Sequence, residues 1–235
     1  MDDSVDKTAV LYFTRSAGEE AQEKLFCNDG NYARNRAIAQ TLISHTYEQI
    51  QASGLPIEIC TSDAQRGRTF GEKLAHAYQD LFDKGYENVI AVGNDCIQLS
   101  AEILLNAAHL LERKSLVIGP AVDGGAYLIG IKREAFYKDF FIDLSWETAG
   151  LFDDFKRYAG YYDLALAQLG CFFDIDDEKE LRVFIKYYSS IGAYFHLILL
   201  LQNILQASAV VYYSYLFPLL FLNCHFCFNY RGPPA

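Results

Sequence analysis

Asn88-Val89-Ile90-Ala91-Val92-Gly93-Asn94-Asp95-Cys96 is the stretch from which the fold can be read. Five residues of strand character end in a glycine, an amide and an acid. From Ser100, a cap by residue type, apolar residues recur at helical spacing to Leu111. A further apolar run at 115–118 follows. The same alternation lies upstream. A strand at 8–13 (TAVLYF) precedes a helix over 33–51 that carries Ile38, Leu42, Ile43, Tyr47 and Ile50. Gly54-Leu55-Pro56 breaks that helix before a short strand at 57–60, and a helix over 70–82 stops at Gly85. Strands alternating with helices of this length predict an α/β fold: a mainly parallel, Rossmann-like sheet with helices on both faces. The polar residues 14–32 read as a long loop or weak helix.

With 235 residues, 51% of them hydrophobic and 21% charged, the chain can bury one good-sized core and is neither disordered nor fibrous. Its net charge of -10 and the absence of a basic patch argue against nucleic acid or anionic lipid as partner, since such binding rests on clustered Lys and Arg. Met1-Asp2-Asp3-Ser4-Val5-Asp6-Lys7 has neither the basic nor the apolar region of a secretory signal, so a cytoplasmic location is expected. Six scattered cysteines suit reduced thiols.

In a sheet of this kind the ligand sits beyond the carboxyl ends of the strands. The residues there are Thr14 and Arg15, then Thr61-Ser62-Asp63 with Gln65-Arg66-Gly67-Arg68-Thr69, then Gly93-Asn94-Asp95, then Gly119-Pro120-Ala121-Val122-Asp123-Gly124-Gly125. The topology alone brings Asp95 and Asp123 to one edge. An acid between an apolar strand and a helix can hold Mg2+ or Mn2+ against a phosphate, or simply cap the helix as a turn residue. Asp123-Gly124-Gly125 offers an acid beside backbone that can approach a ligand closely, and it also reads as a hairpin turn into a strand at 126–131; both can hold together. Arg66, Arg68 and Lys73 gather positive charge beside Gly71, where a helix N-terminus could receive an anion. Trp146, the single tryptophan, reads as core, and Asp177 with Glu180 as a helix cap next to Asp174 and Asp176, weaker candidates for a metal. Cys224 and Cys227 have half-zinc spacing with no second pair to complete it. No nucleophile elbow, P-loop, HExxH or GxGxxG motif occurs.

Taken in order, the segments beginning at Gln65 and Gly93, the Gly119-Pro120-Ala121-Val122-Asp123-Gly124-Gly125 block and Trp146-Glu147-Thr148 resemble a bacterial family of nucleotide-diphospho-sugar transferases. That family has a GT-A-like glycosyltransferase fold, is related to nucleotidyltransferases, and includes proteins named as glycosyltransferases of arsenosugar biosynthesis. The resemblance covers residues 8–188. It implies that Asp95 meets the divalent cation bridging the nucleotide phosphates, that Asp123 is a second contact, and that Asp174-Ile175-Asp176 is the D-x-D of related nucleotidyltransferases. It also implies a substrate site made by Arg15, Gln65, Arg66, Gly71, Glu72, Lys73, Asn94, Gly124, Gly125 and Trp146. The chain departs from the family after the first strand. Instead of a basic, glycine-containing element it has Arg15-Ser16-Ala17-Gly18-Glu19-Glu20-Ala21-Gln22-Glu23-Lys24-Leu25, in which Arg15 and Lys24 are the only equivalents.

The expected activity is therefore a metal-dependent glycosyltransferase moving a sugar from a nucleotide-diphospho-sugar to an acceptor. Asp95 and Asp123 would be on Mg2+ or Mn2+, and Arg15 or Arg66 would assist. The acidic first loop disfavours nucleotidyl transfer from an NTP, which stays an alternative beside a non-catalytic sugar-nucleotide-binding module. The transferase domain is expected over 1–188. Residues 189–235 form an extension, and from Tyr187 to Tyr230 the chain has no Asp, Glu, Lys or Arg. Leu197, Leu200, Leu201, Ile204, Leu205 and Ser208 trace one face of a helix there, which predicts packing on the domain or on a second copy of the chain rather than membrane insertion. The apolar run 209–222, interrupted by Ser214 and Pro218, is short for a bilayer span.

Overall fold

Side-chain alternation along the first strand sets up both faces of the sheet. In the computed structural model, which describes residues 7–206, β1 (Thr8–Phe13) directs Ala9 and Leu11 into one core and Val10 and Tyr12 into the other. β3 (Asn88–Val92) lies beside it in parallel and repeats the pattern, Val89 and Ala91 to the first face, Ile90 and Val92 to the second. β2 (Ile57–Cys60) adds in parallel to the outer edge of β1. Beyond β3 come β5 (Ala126–Lys132), β4 (Leu116–Pro120) and β6 (Leu166–Gln168), giving the order β2-β1-β3-β5-β4-β6. Only β5 runs against its neighbours, because β4 and β5 form a hairpin. The mainly parallel α/β sheet read from the sequence is thus present.

Helices cover both faces. α3 (Phe70–Asp83), α5 (Lys138–Ile142) and α6 (Leu151–Tyr161) bury Leu74, Tyr78, Phe82, Phe141, Phe155 and Tyr158 on one face. Each such side chain contributes about 1.5–3 kcal/mol on leaving water. The Tyr78 hydroxyl donates to the Ile129 carbonyl at 2.6 Å, so its one polar atom is satisfied inside the core. On the other face lie α2 (Tyr32–Ser53), closed by Gly54 in the left-handed region, and α4 (Ala101–Leu111), whose cap Ser100 accepts from the Ile103 N–H.

Three local readings change. The polar segment after β1 contains α1 (Ala17–Glu23), which forms through a reciprocal Ser16/Glu19 capping box although it has no apolar period. The run from Phe172 to Asp176 reads by composition as a strand leading into a capped helix, but it makes only a single bridge, Ala121 with Phe172, and the last strand is Leu166–Gln168. Asp177 caps α7 (Glu178–Tyr188) as expected, accepting from the Glu180 N–H at 2.8 Å, but Glu180 answers to the Asp176 N–H, one residue before the cap.

α8 (Phe195–Gln206), in the uncharged extension, packs on α2 and α7. Its buried line is Ile198, Leu201 and Ile204, against Ile38, Leu42, Leu181 and Phe184, with Leu197, Leu200 and Leu205 at the sides. Among the described residues no helix is long and apolar enough to cross a membrane. Ser208, the apolar run 209–222, Cys224, Cys227 and residues 231–235 lie outside the described residues. The described cysteines, Cys27, Cys60, Cys96 and Cys171, are free thiols.

Candidate active site

The carboxyl ends of the parallel strands open into one cavity of about 1010 Å³, within reach of a nucleotide-sized ligand. Thr14 and Arg15 come to it from β1, Asn94 and Asp95 from β3, Asp123 and Gly125 from the β4–β5 turn, and Asp174 and Asp176 from the segment after β6. Backbone hydrogen bonds lace these segments together. The Ile175 N–H donates to the Asp95 carbonyl at 3.0 Å, and the Glu178 N–H to the Leu25 carbonyl at 3.0 Å. The Thr14 hydroxyl meets Asn94 Oδ1 at 3.0 Å, while the buried Asn94 Nδ2 has no protein partner.

Lys24 is the centre of this arrangement. Its Nζ lies 2.5 Å from Asp95, 2.6 Å from Asp176 and 3.0 Å from Glu20, and Arg15 stands 3.6 Å from Glu20. Burial alone would lower the Lys24 pKa, but Asp95, Glu20 and Asp176 outweigh it and hold the ammonium charged. The acids remain in excess. Burial raises the Asp95 carboxyl despite the pull of Lys24. Asp174 is pushed up to about 7, by burial first and then by Asp95, Asp123 and Asp176. Its Oδ1 is buried without a hydrogen-bond partner. An uncompensated carboxylate beside a charged cluster fits a further cation, and hard oxygen donors suit Mg2+ or Mn2+. Among the described residues no three His, Cys, Asp or Glu side chains form a metal cage. Two carboxylates completed by ligand phosphates and water is the usual arrangement for Mg2+. Asp123 uses Oδ1 to accept the Gly125 N–H at 2.8 Å and Asp95 Oδ1 is held by Lys24, whereas Asp174 Oδ1 has no protein partner.

The remaining expected residues divide. Gln65, Lys73 and Trp146 line the cavity, as does Arg68. Gln65 Nε2 ties the strand ends together, reaching the Thr14 carbonyl at 3.2 Å and that of Cys60 at 3.4 Å. Arg68 and Lys73 form no ion pair among the described residues, which leaves two cations for a ligand. Arg66, Gly71, Glu72 and Gly124 do not line the cavity. Arg66 is drawn to Asp80 at 2.5 Å, and Glu72 completes the α3 capping box by accepting from the Arg68 and Thr69 N–H groups. Gly71 lets Trp146 sit on the start of α3: a Cβ there would meet the indole at 2.5 Å. Gly124, at φ 92°, closes the β4–β5 turn against the Ala149 backbone. Trp146 is core and cavity wall together, wedged between Phe70 and Phe141 with Nε1 donating to the Phe141 carbonyl. Glu20, 2% exposed, was not legible as a site residue, and the only hint was its place in the capped turn before Lys24.

Residues 32–148 match the family described as "Uncharacterized protein conserved in bacteria (DUF2064)". The match is to that segment of the chain, which runs from α2 to Thr148, taking in Asp95 and Asp123 but neither Lys24 nor Asp174. Among solved structures, a protein of Desulfovibrio desulfuricans G20 named "putative nucleotide-diphospho-sugar transferase" superposes with a TM-score of 0.76 at 22% identity, over 84% of this chain and 95% of that one. At that identity the likeness establishes the fold. The 4-diphosphocytidyl-2C-methyl-D-erythritol synthase of Anaerococcus prevotii DSM 20548 (TM-score 0.47, 11% identity, 78% and 97% covered) is too distant to carry an argument. So is the manganese complex of Rv0371c from Mycobacterium tuberculosis H37Rv (0.42, 10%, 77% and 99%). No curated protein matches this chain.

Proposed function

We propose that the chain is a glycosyltransferase that takes a sugar from a nucleotide-diphospho-sugar and passes it to an acceptor, with Mg2+ or Mn2+ at the diphosphate. The observation that carries this reading is one cavity holding both an over-charged acid cluster, Asp95 with Asp174 and Asp176, and the cations Arg15, Arg68 and Lys73. A diphosphate needs both kinds of group around it.

Asp95 and Asp174 would hold the ion, with Asp123 near enough to raise Asp174 through its charge. When bound, the ion supplies charge stabilisation on the leaving nucleoside diphosphate. Arg68 and Lys73, at the start of α3, bind and orient anionic oxygens, and Arg15 adds charge from the β1 end. Trp146 and Phe70 give the cavity an apolar wall on which a flat or ring-shaped part of the ligand can rest. Asn94 Nδ2 is a free donor on the cavity floor. Nucleotidyl transfer fits less well, because the turn that would cradle a triphosphate is α1, a capped helix presenting Glu19, Glu20 and Glu23 to the cavity.

Equilibrium binding of UDP, GDP, TDP and their sugars, with and without Mn2+, tests the reading. At least one is expected to bind with a dependence on Mn2+ that Asp95→Asn abolishes. Failure to bind any of them overturns it, and pyrophosphate release from an NTP would replace it with nucleotidyl transfer.

A further inference from the structure

The three carboxylates around Lys24 arrive from separate parts of the chain. Glu20 lies one turn earlier on α1, Asp95 follows β3, and Asp176 precedes α7, at 3.0, 2.5 and 2.6 Å from Nζ. The Lys24 side chain is only 13% exposed, while Asp95 and Asp176 are 39% and 53% exposed. The ammonium stands where these acids would otherwise present their oxygens to a cation. An ammonium and a divalent ion cannot share the same carboxylates without strong mutual repulsion.

We infer that Lys24 is a built-in counter-cation that competes with the divalent ion for Asp95 and Asp176, and that a ligand diphosphate draws it off and so admits the metal. The inference rests on the glycosyltransferase reading for the diphosphate, while the competition concerns this chain's residues alone. The backbone beside Lys24 is pinned: the Lys24 N–H donates to the Glu20 carbonyl at 2.9 Å, and Leu25 bridges to Asp177. The exchange is therefore a change of side-chain rotamer. Lysine suits it, being a compact charge on a flexible stem that can leave a carboxylate for a phosphate. Asp174, with an unpartnered Oδ1 and no ion pair to Lys24, is the oxygen donor that stays available throughout.

Titration of Mn2+ alone into the full chain, followed by the electron paramagnetic resonance signal of free Mn2+, tests this without any activity assay. Wild type is expected to bind Mn2+ weakly, Lys24→Met and Lys24→Gln at least tenfold more tightly, and Arg66→Ala like wild type. Adding UDP or GDP should tighten Mn2+ binding at least tenfold in wild type and far less in the Lys24 variants. Folded Lys24 variants that bind Mn2+ no better than wild type overturn the inference. If both variants fail to fold, wild type decides: tight Mn2+ binding without nucleotide, or affinity indifferent to a bound nucleotide, overturns it. Failure of the glycosyltransferase reading shows separately, as no nucleotide binding under any metal condition, and the comparison with Mn2+ alone still decides the competition.

Discussion

Lys24 Nζ lies 2.5 Å from Asp95 Oδ1, joining the turn after the first strand to the end of the third. The same ammonium pairs with Glu20, which is 2% exposed, at 3.0 Å. Removing one partner of a buried ion pair leaves an uncompensated charge and costs roughly 3 kcal/mol or more. Lys24→Met is therefore expected to lower the urea midpoint of the metal-free chain, with no change in the slope. Glu20→Gln together with Lys24→Met should recover part of the loss, because Glu20, the most buried of the three carboxylates around Lys24, is then no longer left as a stranded charge. A double variant as unstable as the single one would show that Lys24 stabilises by packing instead.

Asp174 has the opposite sign. Its carboxyl titrates at about 7 in the folded chain against 3.8 in the unfolded one, so between those values the folded state holds a proton that the unfolded state has lost. That contribution to stability is complete below pH 3.8 and disappears as pH rises through about 7. In metal-free protein, Asp174→Asn should therefore be more stable than wild type at pH 8, and the advantage should vanish near pH 4. Thermal midpoints at several pH values measure it. An advantage independent of pH would mean that Asp174 is not strained by its charge.

How much of this could be read beforehand follows from what each feature depends on. β1 and β3 were legible because runs such as Asn88-Val89-Ile90-Ala91-Val92 are buried on both faces and say so in composition, and β2, half-exposed, because Gly54-Leu55-Pro56 marks its start. β6 was not: its three residues, two half-exposed and Gln168 exposed, carry no period. α1 was hidden for the same reason, and its signal was the Ser16-x-x-Glu19 pair rather than hydrophobicity. Asp95 and Asp123 at the sheet edge follow from topology alone. The meeting of Glu20, Lys24, Asp95 and Asp176 does not, since it needs three distant segments laced through Ile175, Leu25 and Glu178. Arg66 misled because positive charge near a helix start looks like an anion site, whereas Asp80 on the same helix claims it.

Gly71 links helix packing to the cavity. An added Cβ would meet Trp146 Cδ1 at 2.5 Å and the Ile142 carbonyl at 2.6 Å, a ring wedged in place and a backbone atom. Neither can give way cheaply, so Gly71→Ala is expected to cost about 1–3 kcal/mol, the usual range for overpacking. It should also displace the indole from the cavity wall. Trp146 is the only tryptophan, so the emission of the whole protein reports that shift directly. Unchanged emission with unchanged stability would show that α3 moves away freely.

The uncharged extension supplies the last test. Leu201 is 0% exposed, between Ile198 and Ile204 on the face of α8 that meets α2. If α8 belongs to the folding unit, truncating this side chain leaves a cavity in a core shared with Phe26, Leu42 and Phe184, and costs roughly 2–5 kcal/mol. Leu201→Ala should then lower the midpoint of the single unfolding transition, while Leu199→Ala, at an exposed position, should leave it within about 0.5 kcal/mol. Equal effects of the two variants would mean that α8 docks without adding to the stability of the domain, and the boundary expected after Tyr188 would then be a true one. A large effect at Leu201 alone moves that boundary to the end of α8, because α2, which bears the α8 contact, also packs Ile50 against the sheet core that carries Asp95 at its edge.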